Sequence, residues 1–184
     1  MRKIDHEKFL FIFQGDFGTF QPAHIEGLQA ILSYLEADAE ITDLRQAAYM
    51  IATAMHETAL TFEPIAEYGK GAGHPYGVPD PTTGLVYYGR GYVQLTWKAN
   101  YETMGDAIGI NLCLSPDRAM IPEVAYAVMS QGMRRGMFTG VSLSHFINAT
   151  ECDYLNARKM INSLDCATII AGYADKIATA LGAC

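Results

Sequence analysis

The sequence predicts a mainly helical domain with at most a small β element, and three observations predict it. Apolar residues recur at helical spacing over residues 5–13, 22–36 and 43–58. The same period returns after Trp97 and continues in pieces to Leu181. The one long stretch that breaks it, Tyr68 to Gly91, holds seven glycines (69, 71, 73, 77, 84, 89, 91) and three prolines (75, 79, 81), too many for a helix.

Each element has its own signal. The second helix opens at Pro22, a residue favoured in a first helical turn, and carries Ile25, Leu28, Ile31, Leu32 and Leu35 on one side. The third places Leu44, Ala47, Ala48, Ile51 and Met55 in a stripe, with Glu57 at its border. The segment from Tyr68 to Gly91 reads as a long functional loop, and any β structure belongs there. Thr96 then caps a helix that Gly109 stops, a further helix runs from Pro122 through Arg135, and short helical pieces fill Ser142 to Leu181.

Residues 1–184 fit one domain, with no internal repeat, low-complexity tract or linker to divide it. Half the residues are apolar and 18% are charged, which excludes a disordered chain. A net charge of -7 and a pI near 5.1 argue against a nucleic-acid binder, whose phosphate contacts demand a basic face. Cys113, Cys152, Cys166 and Cys184 form no CxxC pair and are expected as reduced thiols, not as a zinc or redox site. The apolar run FLFIF near the start is too short for a secretory signal, and nothing approaches a membrane span. A protein stored in the cytoplasm, monomeric and not inserted in a membrane, is the expectation.

The stretch HETALTFEPIAEYG, His56 to Gly69, carries the chemistry. His56-Glu57 begins a zinc-peptidase motif, but the histidine required one turn on is Leu60, and His6, His24, His74 and His145 stand singly, so no metal or cofactor is expected. Glu57 is expected to be part-buried beside apolar groups, where a carboxyl keeps its proton more readily and can act as a general acid. An unbroken helix to Glu67 would hold the two carboxylates about 15 Å apart. Pro64 disfavours helix at Glu63, so the chain can fold back. Two acids roughly 6.5 to 9.5 Å apart across a cleft are what an inverting glycosidase uses. Glu63 competes with Glu67 for the second position.

YYGRGYVQLTWKANY, Tyr87 to Tyr101, is dense in groups suited to sugars: aromatic faces, amides, hydroxyls, and glycines for close backbone approach. The same residues also fit a structural part, with Gln94 and Thr96 satisfying a helix end, Arg90 pairing with a carboxylate, and the aromatics in the core.

HET followed by YYGRGYVQLTWKANY resembles the two signature segments of glycoside hydrolase family 19, the chitinases and related phage endolysins, which usually read HE[ST]GG and YYGRGP-I-QLT-x-x-x-NY. TFEPIAEYGKG is similar to the lysin form around the second glutamate. The resemblance implies a lysozyme-like, two-lobed helical domain with a catalytic cleft. It implies Glu57 as general acid, Glu67 as the base activating water and Thr96 as a holder of that water. His56, Tyr88, Arg90, Gln94 and Asn100 become expected substrate-binding residues, with Arg90 either orienting a carboxylate or bracing the loop. ARKMINSLD, Ala157 to Asp165, resembles the family's I-N-G-G segment and adds Asn162. The sequence departs from the family where glycines are usual, with Ala59 and Leu60 after His-Glu-Thr and Ser163 and Leu164 after Asn162.

The endolysin branch of the resemblance implies hydrolysis of the β-1,4 bond between N-acetylmuramic acid and N-acetylglucosamine in peptidoglycan glycan strands, for host cell lysis. On that reading the protein waits in the host bacterial cytoplasm until a holin opens the membrane. A chitinase is the alternative, as is a catalytically weak wall-binding or virion module. An amidase or peptidase of the stem peptides is disfavoured by the missing zinc-ligand and Cys-His patterns.

Overall fold

The computed structural model describes residues 3–182, so Cys184 lies outside the described residues. Helices α1 (His6–Phe17), α2 (Pro22–Ala37) and α3 (Leu44–Glu57) lead into β1 (Ile65–Ala66), the long loop and β2 (Arg90–Gly91). Helices α4 (Lys98–Ile108), α5 (Pro122–Arg135), α6 (Leu143–Phe146), α7 (Tyr154–Ala157) and α8 (Ala167–Leu181) follow. The fold is mainly helical, as the periodicity predicts, and the one sheet among the described residues is two-stranded and antiparallel, pairing Ile65 with Gly91 and Ala66 with Arg90.

Helix α3 is the centre of the packing. Asp43 caps it by accepting from the Arg45 amide, and the Arg45 guanidinium forks back onto Asp43 and reaches the Asn148 carbonyl. The sequence suggests a one-sided stripe, but every residue from Ala47 to Met55 is buried. The reason is α8, which packs along α3 more extensively than any other element pair. Alanines on both helices (Ala47, Ala48, Ala52, Ala54; Ala174, Ala178) let the backbones approach, with Ile51, Ile170 and Ile177 buried around them. The expected short C-terminal pieces are thus corrected: α6 and α7 are short, but α8 runs 15 residues.

The helix also ends earlier than Pro64 implies. Thr58 closes α3, and Ala59, Leu60 and Phe62 take left-handed φ of 52°, 68° and 57°. This sharp exit drives Phe62 into an aromatic cluster with Phe13 and Phe20. Its backbone lies so close to α2 that a Cβ on Gly27 would meet the Phe62 carbonyl oxygen at 2.7 Å. At α4 the expected cap is displaced by one residue. Trp97, not Thr96, is the N-cap, in a left-handed conformation (φ 71°) that turns the chain out of the loop, while Gly109 stops the helix as expected.

Asp38 joins α2 to α5. Its Oδ2 accepts from Tyr126 at 3.0 Å and Ser130 at 2.5 Å, and its Oδ1 from the Glu40 amide. Burial pushes the Asp38 carboxyl up, but the hydrogen bonds from Ser130, the Glu40 amide and Tyr126, with Arg134 nearby, outweigh it and hold it below its ordinary 3.8. A carboxyl lowered in the folded state contributes stability that is present above its unfolded value and lost as pH falls through the folded one. Asp38→Asn is expected to cost about 1–2 kcal/mol at pH 7 in urea denaturation. The gap from wild type should begin to narrow as the pH falls below about 4 and close only as it passes the lower value of the folded state. A gap that stays constant down to pH 2.5 would contradict the ionised tie.

Candidate active site

Glu57 occupies the last turn of α3, and the elements packed on that helix determine what it meets. Its Oε1 accepts a 2.6 Å hydrogen bond from Nη1 of Arg158, the side chains being 15% and 3% exposed. Arg158 lies in the 3-10 turn Arg158–Met160 between α7 and α8, and its Nε donates to the Asp165 carbonyl at 2.9 Å. The apolar surroundings expected at Glu57 are therefore corrected to a nearly buried ion pair. One carboxylate oxygen, Oε1, is held by a charge-assisted bond, and Glu57 lines the cleft.

Glu67 stands on a different support. It follows β1, and its backbone N–H extends the sheet by donating to the Gly89 carbonyl at 2.7 Å. Its carboxylate accepts from the Gly89 amide at 3.1 Å and from the Tyr76 hydroxyl at 3.3 Å. Burial first, and then the neighbouring Glu67 charge, push the Tyr76 phenol up, which keeps its proton on the donor side of that bond. Tyr76 itself lines the same cleft as Glu57, so it links Glu67 to that space. Glu63 is exposed and faces a separate hollow with Phe62 and Tyr92.

The cleft measures about 430 Å³ and, besides Glu57 at the end of α3 and Tyr76 in the long loop, takes its walls from three further parts of the chain. Gln94, Thr96 and Asn100 come from the turn into α4, Phe138 from the segment after α5, and Ile161 and Asn162 from the segment after Arg158. Gln94 is only partly free for a ligand: its Nε2 donates to the Ile65 and Gly91 carbonyls at 3.1 and 3.2 Å, which locks the two strands together. Asn100 turns its Nδ2 back to the Thr96 carbonyl at 2.9 Å and leaves Oδ1 to accept. Trp97, 47% exposed, stands edge-on to Tyr76 with ring centroids 5.4 Å apart.

Glu57, Gln94, Thr96, Asn100 and Asn162 are thus brought together, and four other candidates, Glu67, Arg90, Tyr88 and His56, are outside the cleft lining, Glu67 reaching it only through Tyr76. Arg90 is 4% exposed and spends its fork on Asp117 and on the Val86 and Tyr88 carbonyls and the Tyr101 hydroxyl. It braces the loop and meets neither glutamate. Tyr88 lies under the Arg90 guanidinium, 3.6 Å from ring centroid to carbon, and does not line the cleft. His56 neighbours Glu57 in sequence but is also outside the cleft lining. Sequence reasoning missed Arg158, Tyr76 and Phe138, whereas Trp97 is the aromatic face expected of the Tyr87–Tyr101 stretch. Arg158 alone left a trace, as an arginine amid the apolar spacing Tyr154, Ala157, Met160, Ile161, where a buried guanidinium needs a carboxylate. Cys113, Cys152 and Cys166 are unpaired thiols.

The sequence model of the chitinase class I family matches residues 23–128, more than half of the chain and all of the segment from Glu57 through Asn100. The chain belongs to glycoside hydrolase family 19. Two endochitinases of Arabidopsis thaliana are 36% identical over 84 residues and 37% identical over 87, each alignment covering 45% of this chain. Those alignments cover 29% and 30% of the plant proteins, so the chain spans under a third of the length of the curated relatives it matches. The fold is shared with chitinase C from Streptomyces griseus HUT6037 (TM-score 0.62, 24% identity, 97% of this chain and 76% of that one). It is shared too with a bacterial family 19 chitinase (TM-score 0.64, 24% identity, 98% and 94%) and a class IV chitinase from Zea mays (0.53, 21%, 89% and 82%).

Membership of family 19 gives meaning to the backbone after Glu57. Ala59 and Leu60 stand where the family signature carries paired glycines, and Ser163 where it carries the first glycine after the asparagine. All three are left-handed, with φ of 52°, 68° and 43°. A residue with a Cβ is strained there by roughly 1–2 kcal/mol. Leu60→Gly removes that strain at a 40% exposed position, against the larger unfolded-state freedom of glycine. The expected net gain is about 0.5–1 kcal/mol, read as a Tm rise of roughly 1–4 °C by calorimetry. A lower Tm would show that the leucine contributes more by packing than it costs in strain.

Proposed function

We propose that the protein hydrolyses β-1,4 glycosidic bonds of an N-acetylated glycan by an inverting two-carboxylate mechanism, with the glycan strands of bacterial peptidoglycan as substrate. The observation that carries the reading is the pairing of supports. Glu57 lines the cleft from a helix end, and Glu67, which does not itself line it, is hydrogen-bonded from a sheet edge to Tyr76, which does. Two acids held by separate rigid elements are what a reaction needs when one must protonate a leaving oxygen and the other must activate water on the opposite face of the sugar.

Protonated Glu57 gives its proton from Oε2 to the glycosidic oxygen, and Arg158 stabilises the carboxylate that remains. Glu67 draws a proton from the attacking water, while Thr96, which lines the cleft with no competing cap duty, helps hold that water. Asn100 Oδ1 and Asn162 offer acceptors and donors to acetamido and hydroxyl groups, and the Tyr76 and Trp97 rings offer apolar faces to the sugar rings. The resemblance of TFEPIAEYGKG to lysin sequences supports peptidoglycan and an endolysin role, with release of the stored protein to the wall. Similarity to the Arabidopsis endochitinases supports chitin as the second reading.

Mass spectrometry of fragments from purified peptidoglycan, with chitin oligomers in parallel, separates the two. Glu57→Gln is expected to lower fragment release by at least about 10³-fold with its melting curve unchanged. Glu67→Gln should lose a comparable factor. Full activity in a folded Glu57→Gln protein would overturn the mechanism, and fragments from chitin alone would overturn the peptidoglycan reading.

A further inference from the structure

A second hollow of about 260 Å³ adjoins the cleft. Tyr76 and Trp97, which line the cleft, line this hollow as well, so the two are separated only by that edge-on pair. Its volume falls below the roughly 300–1,000 Å³ of a pocket that encloses a whole ligand, so it suits one substituent of a molecule already lying in the cleft.

The lining has two characters. One side is apolar and stiff: Val78, 65% exposed, is flanked by Pro79 and Pro81, with Pro75 beyond. The other side is charged. Asp80 Oδ1 is held by the Thr82 and Thr83 amides at 3.0 and 2.9 Å and accepts from Lys98 Nζ at 3.1 Å. The Lys98 ammonium carries three protons, and its other acidic neighbour, Glu102, stands at 4.0 Å, the limit of an ion pair. Lys98 is thereby fixed in place with donor capacity left over, half-buried at 28% exposure. The hydrogen bond to Asp80, more than opposing burial, pushes its titration up, so the ammonium stays charged.

A glycan of N-acetylglucosamine alone is uncharged and offers nothing to a fixed ammonium. The muramic acid unit of peptidoglycan carries a lactyl ether extended by a peptide, with methyl side chains first and free carboxylates after. We propose that this hollow receives the peptide stem of a peptidoglycan strand bound in the cleft, a stem carboxylate meeting Lys98 and the first apolar side chains meeting Val78 and the prolines. The inference rests on the peptidoglycan reading of the cleft. It makes the hollow the place where wall glycan is distinguished from chitin, and the prolines reduce the ordering cost of binding there.

The test compares kcat/KM on three substrates: intact peptidoglycan, the same strands stripped of stems by an amidase, and chitin oligomers. Wild type is expected to prefer stem-bearing over bare strands by about tenfold, the scale of one charge-assisted hydrogen bond. Lys98→Met and Val78→Asp should each abolish most of that preference and change bare-strand cleavage far less. Val78→Asp sits on an exposed loop position, so it carries the test even if Lys98→Met fails to fold. Equal losses on all three substrates, or a wild-type enzyme indifferent to the stem, would overturn the inference while leaving the peptidoglycan reading intact. Cleavage of chitin oligomers with none of either wall substrate would overturn that parent reading and the inference with it.

Discussion

The bond between Glu57 and Arg158 joins residues 101 positions apart and ties the end of α3 to one wall of the cleft. A nearly buried ion pair is weak evidence for stability, because desolvation offsets most of the attraction. Its value is positional. With Oε1 engaged and Arg158 itself held by the Asp165 carbonyl, the remaining oxygen of Glu57 has few orientations left. The same bond ties the end of α3 to the segment carrying Ile161 and Asn162, so one wall of the cleft is fixed by the residue that the chemistry needs.

That arrangement depends in turn on the packing of α3 along α8. Helix α3 is buried on every side from Ala47 to Met55, which makes it a rigid mount, and only its first turn and its last two residues reach solvent. The opposite wall is mounted differently. Two residues per strand would not hold a sheet by themselves. Gln94 stitches β1 to β2 through two carbonyls, Glu67 extends the ladder to Gly89, and the buried Arg90 gathers the loop carbonyls behind it. For Gln94 and Arg90, which the sequence left between sugar ligand and structural part, these bonds supply the structural part.

Local signals were legible in the sequence and long-range ones were not. Pro22, Pro122 and Gly109 marked helix ends because proline and glycine act on their own backbone, and the structure keeps those boundaries. The cap at α4 was misplaced by one residue because Trp97 adopts a left-handed turn that its own propensity disfavours and the surrounding loop imposes. Helix α8 was read as fragments although Ile170, Ala174, Ile177 and Ala178 repeat at helical spacing; the small size of its alanines counts only once α3 is opposite. Glu57, Thr96, Asn100 and Asn162 were found through motif resemblance and do share a cleft. Arg158 and Tyr76 were not, since their importance lies in partners that only the fold brings near.

The claim on which the account stands is that two separately mounted carboxylates act on opposite faces of one sugar. Proton NMR of the first minutes of hydrolysis reads this directly, by identifying the anomer formed before mutarotation. A β-linked substrate should yield the α-anomer first, as single displacement by a Glu67-activated water requires. Initial formation of the β-anomer, the signature of two successive displacements, would contradict it.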